Sequence, residues 1–193
     1  MTNVLERYLR ISTFQHLEVF QINYINIKAI NYMIEGTGGR LKQIFIKDLL
    51  IFSYDLYDES LKLIRIVRET CPLIENLSLV FIQPSDKHLI ELEKLLRTCQ
   101  NLKVLILEMD DNSNDKDQGT YEERKLAWGE KLLNVLVRSA PSNLSVIGIL
   151  NEFKFSINTL GEFLENWKGR PDNGVIKEFR HSNVDSIMDN YGL

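Results

Sequence analysis

Apolar positions along the chain recur in one short string: an apolar residue, two variable residues, an apolar residue, one variable residue, an apolar residue. It appears as Leu17-Glu18-Val19-Phe20-Gln21-Ile22, as Leu41-Lys42-Gln43-Ile44-Phe45-Ile46 and as Ile74-Glu75-Asn76-Leu77-Ser78-Leu79. Two later copies are Leu102-Lys103-Val104-Leu105-Ile106-Leu107 and Leu144-Ser145-Val146-Ile147-Gly148-Ile149. The last four residues of each copy alternate, which is the period of a strand. Between copies the period lengthens to that of a helix. The clearest helix opens at Ser85, a residue able to cap the first turn, and carries Leu89, Leu92, Leu95 and Leu96 as one apolar stripe. A second starts at Asp58 or Ser60, carries Leu61, Ile64 and Val67, and stops at Pro72. A third is predicted from about Tyr121 to Arg138 with Leu126, Leu133, Leu136 and Val137 facing inward. A fourth starts at Ser156 or Asn158 and ends near Trp167-Lys168-Gly169.

Copies follow one another at 24, 33, 28 and 42 residues, a repeat with insertions. Strand then helix at that spacing predicts parallel strands, because each helix must carry the chain back. One unit cannot bury both its strand and its helix alone, so stacking supplies the core. The expected fold is α/β: one domain over residues 1–193, an arc of about five strand–helix units with a parallel sheet. Strands are placed near 17–22, 41–46, 74–79, 102–107 and 144–149, an acidic insertion at 108–120 and a C-terminal cap at 151–193. The competing architecture is an open doubly wound α/β sheet. Two features favour the repeat: the like spacing of every string, and the related strand entrances Cys71-Pro72-Leu73, Cys99-Gln100-Asn101 and Ala140-Pro141-Ser142-Asn143. A sixth string, Ile176-Lys177-Glu178-Phe179-Arg180-His181, lacks its final apolar residue, as a cap would.

Composition narrows the function classes. Hydrophobic residues make up 44% of the 193, enough for a core, and a net charge of −4 lacks the basic excess of a nucleic-acid binder. No apolar run reaches the roughly 18–20 residues of a membrane span, and Met1 to Arg10 carries charges where a signal peptide is apolar. Two cysteines are too few for a disulfide scaffold and fit a reducing compartment, cytoplasmic or nuclear.

Catalysis needs convergent polar groups, and the strings do not supply them. His16, His88 and His181 lie far apart without a zinc-binding pair, and His88, near a helix start, is expected to be solvated. Cys71 and Cys99 hold equivalent positions of successive units, where a small buried thiol packs well. Gly36-Thr37-Gly38-Gly39-Arg40 precedes a strand, whereas a phosphate loop opens into a helix, so it reads as a helix stop. The run from Asp110 to Asp117 has calcium-loop composition but lacks its glycine and its final glutamate. Asn76-Leu77-Ser78 and Asn143-Leu144-Ser145 match glycosylation acceptors only through the strand pattern. No catalytic residue, cofactor or metal is expected, and a small α/β enzyme is the remotest reading.

Cys71–Leu79 and Cys99–Leu107 resemble the cysteine-containing, ribonuclease-inhibitor-like leucine-rich repeat, in which a C-P-x-L-x-x-L-x-L string marks helix end, turn and concave strand. From Phe14 to Phe179 the chain is similar to the repeat region of fungal F-box/leucine-rich-repeat proteins. That resemblance implies a substrate-recognition arm of a cullin-RING ubiquitin ligase. The first strand begins by Leu17 and no Leu-Pro-acidic string precedes it, so the F-box is missing from this sequence. The chain is then expected to be a fragment, a truncated paralogue or a protein that never meets the adaptor. A free-standing leucine-rich-repeat module, unconnected to ubiquitin, is the alternative.

In such an arc positions one, four and six of each string point into the core and positions three and five project from the concave sheet. These are Val19 and Gln21, Gln43 and Phe45, Asn76 and Ser78, Val104 and Ile106, and Val146 with Gly148. Apolar Phe45, Val104, Ile106 and Val146 at sites that meet solvent would form a protein-binding patch, with Gln21, Gln43, Asn76 and Ser78 selecting the partner. Under the doubly wound alternative the same four apolar residues are core.

Overall fold

The computed structural model describes residues 4–47, 49, 56–110, 118–150, 153–168 and 175–179. Strands and helices alternate throughout: α1 (Val4–Ile11), β1 (Val19–Asn23), α2 (Ile27–Glu35), β2 (Gln43–Lys47), α3 (Leu56–Thr70) and β3 (Asn76–Ile82). They continue with α4 (Asp86–Thr98), β4 (Val104–Asp110), α5 (Gln118–Ser139), β5 (Val146–Leu150), α6 (Ile157–Trp167) and β6 (Val175–Phe179). All strand pairs are parallel and the spatial order is the chain order, β1 to β6. Each helix packs on the next, α1 on α2 through α5 on α6. A doubly wound sheet reverses its order at a switch point, and the described strands contain no reversal. Every crossover advances the chain one strand in the same direction, so with one crossover hand the helices share one face.

The five strings stand in the register their sequences set. Phe20, Ile44, Leu77, Leu105 and Ile147, the fourth position of each, lie in one row across the sheet. All five are buried, as are the first-position residues Leu41, Ile74, Leu102 and Leu144. The sixth string is the exception. Ile176 pairs with Ile147, a fourth-position residue, so that unit starts three residues earlier than its apolar pattern implied.

The turn from helix to strand is also repeated. The N–H of Cys71 donates to Val67 O at 2.9 Å, that of Cys99 to Leu95 O at 2.8 Å and that of Ala140 to Leu136 O at 3.0 Å. Next, the N–H of Ile74 reaches back to Cys71 O, Leu102 to Cys99 O and Leu144 to Pro141 O, at 3.2, 3.3 and 3.1 Å. At the strand entrance the carbonyls of Glu18, Lys42, Glu75 and Lys103 each accept two N–H groups from the following unit. Side chains continue this ladder, with Lys42 Nζ 2.8 Å from Glu18 and Lys103 Nζ 2.6 Å from Glu75.

Both cysteines are free and buried, with Cys99 Sγ 3.9 Å from the Cys71 carbonyl. Burial pushes both thiols up, that of Cys99 to about 11, so neither is a nucleophile at neutral pH. The glycine run ends α2 as expected. Gly38 and Gly39 have φ of 63° and 84°, where a side chain is strained. A Cβ on Gly36 would meet Ser12 O at 2.7 Å.

Several boundaries move. Helix α3 starts at Leu56, ahead of Asp58 and Ser60, and α5 is longer than predicted at both ends. Its buried face is Trp128, Leu132, Leu133, Val135 and Leu136, while Leu126 and Val137 are half-buried. Gly129 explains this rotation: a Cβ there would lie 2.0 Å from the Lys154 carbonyl, so the helix presses its glycine side against the chain after β5. Ser156 caps α6, accepting the Thr159 N–H at 3.2 Å. Of the expected acidic insertion, Glu108–Asp110 belong to β4 and Gln118–Thr120 to α5, while 111–117 lie outside the described residues.

Candidate functional site: the helix-free face of the sheet

Alternation along the strands puts the candidate residues on the side away from the helices. Register aligns Val19, Gln43, Asn76, Val104 and Val146 in one row. In the next row Gln21 stands beside Phe45, and Ser78 beside Ile106 and Gly148. The row structure is what the strings required; the exposure is not. Val19 is 49% exposed, Gln21 is exposed and Gln43 is half-buried. Phe45, Asn76, Ser78, Val104, Ile106 and Val146, all expected at solvent, are buried.

Phe45, Val104, Ile106, Val146 and Leu150 form an apolar cluster separate from the main core. Strands lie about 4.8 Å apart, so side chains in one row cover each other's flanks. Ser78 fits this apolar setting because its hydroxyl donates to Ile46 O at 3.2 Å, which satisfies a buried polar group. The face is an apolar layer at its centre, and among the described residues it opens to water toward β1 and at the half-buried Glu108 and Asp110 of β4.

A polar centre that the sequence reading placed in solvent lies between α3 and α4. His88 is fully buried. Its Nε2 is 2.9 Å from Ser60 Oγ and its Nδ1 is 3.1 Å from Ser85 Oγ, which in turn is 2.9 Å from Tyr57 Oη. Tyr57 and Phe81 close over the ring edge-on, at centroid distances of 5.1 and 5.8 Å. Burial, followed by the Arg65 charge, pushes the imidazole down to about 4. His88 is therefore neutral at physiological pH, one nitrogen donating and the other accepting. Ser85 holds the N-cap position of α4, yet its side chain makes no capping bond to the backbone. The missed signal is in the helix period: His88 precedes Leu92 and Leu95 by four and seven residues and so stands on the apolar stripe.

One turn further, the buried Glu91 carboxylate takes Lys94 Nζ at 3.0 Å, Arg65 Nε at 3.5 Å and Arg68 Nη2 at 3.6 Å. Burial raises its pKa, but these cations outweigh that effect and hold the group below the usual carboxylate range. Both centres join successive helices: His88 bonds a serine hydroxyl across the α3–α4 seam, and Glu91 ties the same seam by charge. No carboxylate contacts His88 among its described partners, so the serines and the imidazole do not make a nucleophile–base–orienter set.

Among the described residues no group of three or more His, Cys, Asp or Glu side chains can hold a metal ion, and no helix is long and apolar enough to cross a membrane. No protein family and no curated protein sequence matches the chain.

Proposed function

We propose that the chain is a leucine-rich-repeat arc acting as a protein-interaction module. By its resemblance to the fungal repeat proteins, it is the substrate-recognition region of an F-box-type ubiquitin-ligase receptor, working in the cytoplasm or nucleus. The observation that supports this most is the one-sided stack: strand order equals chain order, and the same helix-end, turn and strand-entrance hydrogen bonds recur from unit to unit. Such a stack leaves one sheet face free of helices and holds its side chains in place, so little ordering entropy opposes association. In the free chain Val19, Gln21 and Asn23 are accessible on that face, with the half-buried Gln43 at their border. The buried cluster behind them makes the platform stiff.

Affinity capture of the intact chain from its own cell extract, read by mass spectrometry beside a Val19→Glu/Gln21→Glu variant, tests the proposal. Both changes fall on exposed positions, so the variant should fold normally and lose the captured protein. Recovery of the adaptor and cullin with the wild-type chain supports the ligase role. Recovery of other proteins that the variant loses supports a free-standing interaction module. Equal capture by both chains overturns the assignment of this face.

A further inference from the structure

Among the described residues, four exposed large apolar side chains lie at the first end of the stack, while Leu73, Ile90, Ile157 and Leu164 are exposed elsewhere along it. Tyr8 and Ile11 on α1, Val19 on β1 and Tyr24 just after it are 63%, 75%, 49% and 67% exposed. Both layers of the end unit, helix and strand, therefore present apolar surface. Interior units bury most of their strand residues against neighbours, and a terminal unit needs a polar outer face to stay soluble.

The strand in that unit has an open edge. Glu18 O accepts N–H groups from Lys42 and Gln43, and Val19 pairs with Gln43. In a parallel ladder alternate residues turn both backbone groups to the same neighbour. Phe20 and Ile22 thus face β2, and Val19, Gln21 and Asn23 direct their N–H and C=O groups away from it. Nothing among the described residues pairs with them. The usual guards of an edge, a proline, a lysine or a bulge, are missing from Val19-Phe20-Gln21-Ile22-Asn23.

We propose that two copies of the chain pair through their β1 edges, antiparallel about Gln21, joining two parallel sheets into one. The strand suits itself as a partner. It is uncharged along its whole length, so two copies meet without repulsion. Antiparallel pairing about Gln21 sets Val19 of one copy opposite Asn23 of the other and the two Gln21 residues opposite each other. The outward N–H and C=O groups of all three residues are then satisfied at once by the same three residues of the partner. A two-fold axis through Gln21 also brings the apolar ends of both copies together, an isologous contact that closes and stops at two. This contact uses the backbone edge of β1, whereas the partner surface above uses its side-chain face; Gln21→Pro, which touches the edge hydrogen bonds, and the cysteine cross-links separate the two.

Cross-linking reads the register directly. Paired Gln21 residues would have Cα atoms about 5.5 Å apart, within disulfide reach. Mild oxidation should link Gln21→Cys chains into dimers. It should leave Val19→Cys alone and Asn23→Cys alone unlinked, and should link a mixture of the two. The native Cys71 and Cys99 are buried and do not compete. Sedimentation of the wild-type chain across a wide concentration range should show a monomer–dimer equilibrium. Gln21→Pro removes one outward N–H at a position where an edge strand tolerates proline, and Val19→Lys adds charge. Each should weaken the dimer at least about tenfold and leave the circular dichroism unchanged. A wild-type chain that stays monomeric up to its solubility limit overturns the proposal and leaves the edge to a strand of another protein. A dimer that resists both substitutions, or links equally at all three cysteine positions, overturns it as well.

Discussion

Strands β1 and β3 come from the same string and share the same sheet, yet they live in different surroundings. All seven residues of β3 are buried, and in β1 only Phe20 is. Neither hydrophobicity nor register separates them: Phe20 and Leu77 lie in one row, each in the fourth position of its string. Neighbours do. β3 has a strand on both sides and β1 on one, and α2 packs on a short α1 where α4 is flanked by the longer α3 and α5. In a stack, burial belongs to the place a unit holds as much as to its residues. The end unit leaves most of β1 exposed, and the central units bury their strands.

The sharpest way to break that contrast is to place charge on the same sheet face at its centre and at its end. Phe45→Glu with Val104→Glu puts carboxylates into the second apolar cluster, where an unpaired charge is not tolerated. Cooperative unfolding should be lost, as seen in a urea titration followed by circular dichroism. Val19→Glu with Gln21→Glu, at a protein concentration where the wild-type chain is monomeric, should leave the titration within experimental error of wild type. A folded central variant would show that the centre is open to water after all and restore it to the partner surface.

A smaller effect separates the same two regions on the helix side of the sheet. Leu105→Ala empties a fully buried central site and should cost about 3–5 kcal/mol. Ile22→Ala at the half-buried end position should cost about 1 kcal/mol, because less area leaves water on folding. Equal losses from equilibrium denaturation would mean that stability is spread evenly along the stack.

What could be read from the residues divides along the same line. The five strings, their register and the helix-end cysteines were legible, because an apolar residue in a repeated position has one way to be buried: facing its equivalents above and below. Whether positions three and five meet solvent was not legible. Alternation assigns Phe45 and Ile106 to the face opposite the helices, but it is silent on whether that face is closed. The apolar residues there, expected to meet solvent as a binding patch, are buried in the free chain. His88 was misplaced for a related reason. A histidine near a helix start is ordinarily solvated, and only its four- and seven-residue spacing to Leu92 and Leu95 tells that the ring turns inward. The partners that make such burial tolerable, Ser60 and Ser85, lie 28 and three residues away, and the first is visible only once the units are aligned. The sixth string failed because Asn173 and Glu178, at positions one and six in the observed register, are not apolar, so Ile176 and Phe179 set a false phase.

Acid should act on the central seam and spare the end one. Between α2 and α3 the buried Asn31 bridges the units, its Nδ2 donating to Glu59 O and Oε2 at 3.1 and 2.8 Å; an amide does not take up a proton in this range. Between α3 and α4 the bridge is His88, whose folded pKa near 4 lies below the ordinary 6.5 because of burial first and Arg65 second. The unfolded chain therefore binds a proton on His88 between pH 6.5 and 4 that the folded chain refuses. Stability from this site is fully present above pH 6.5 and drains away as pH falls toward 4. Protonation would also force both ring nitrogens to donate, one to Ser60 and one to Ser85, while Arg65 opposes the new charge. Between pH 7 and pH 5, above the range where carboxylates titrate, the loss should be about 2 kcal/mol. Urea midpoints at the two pH values measure it. His88→Gln, neutral at every pH and able to bond a serine, should be less stable than wild type at pH 7 and show little change between the two. An equal slope in both chains would place the acid response elsewhere and leave the α3–α4 seam no more pH-sensitive than the α2–α3 seam.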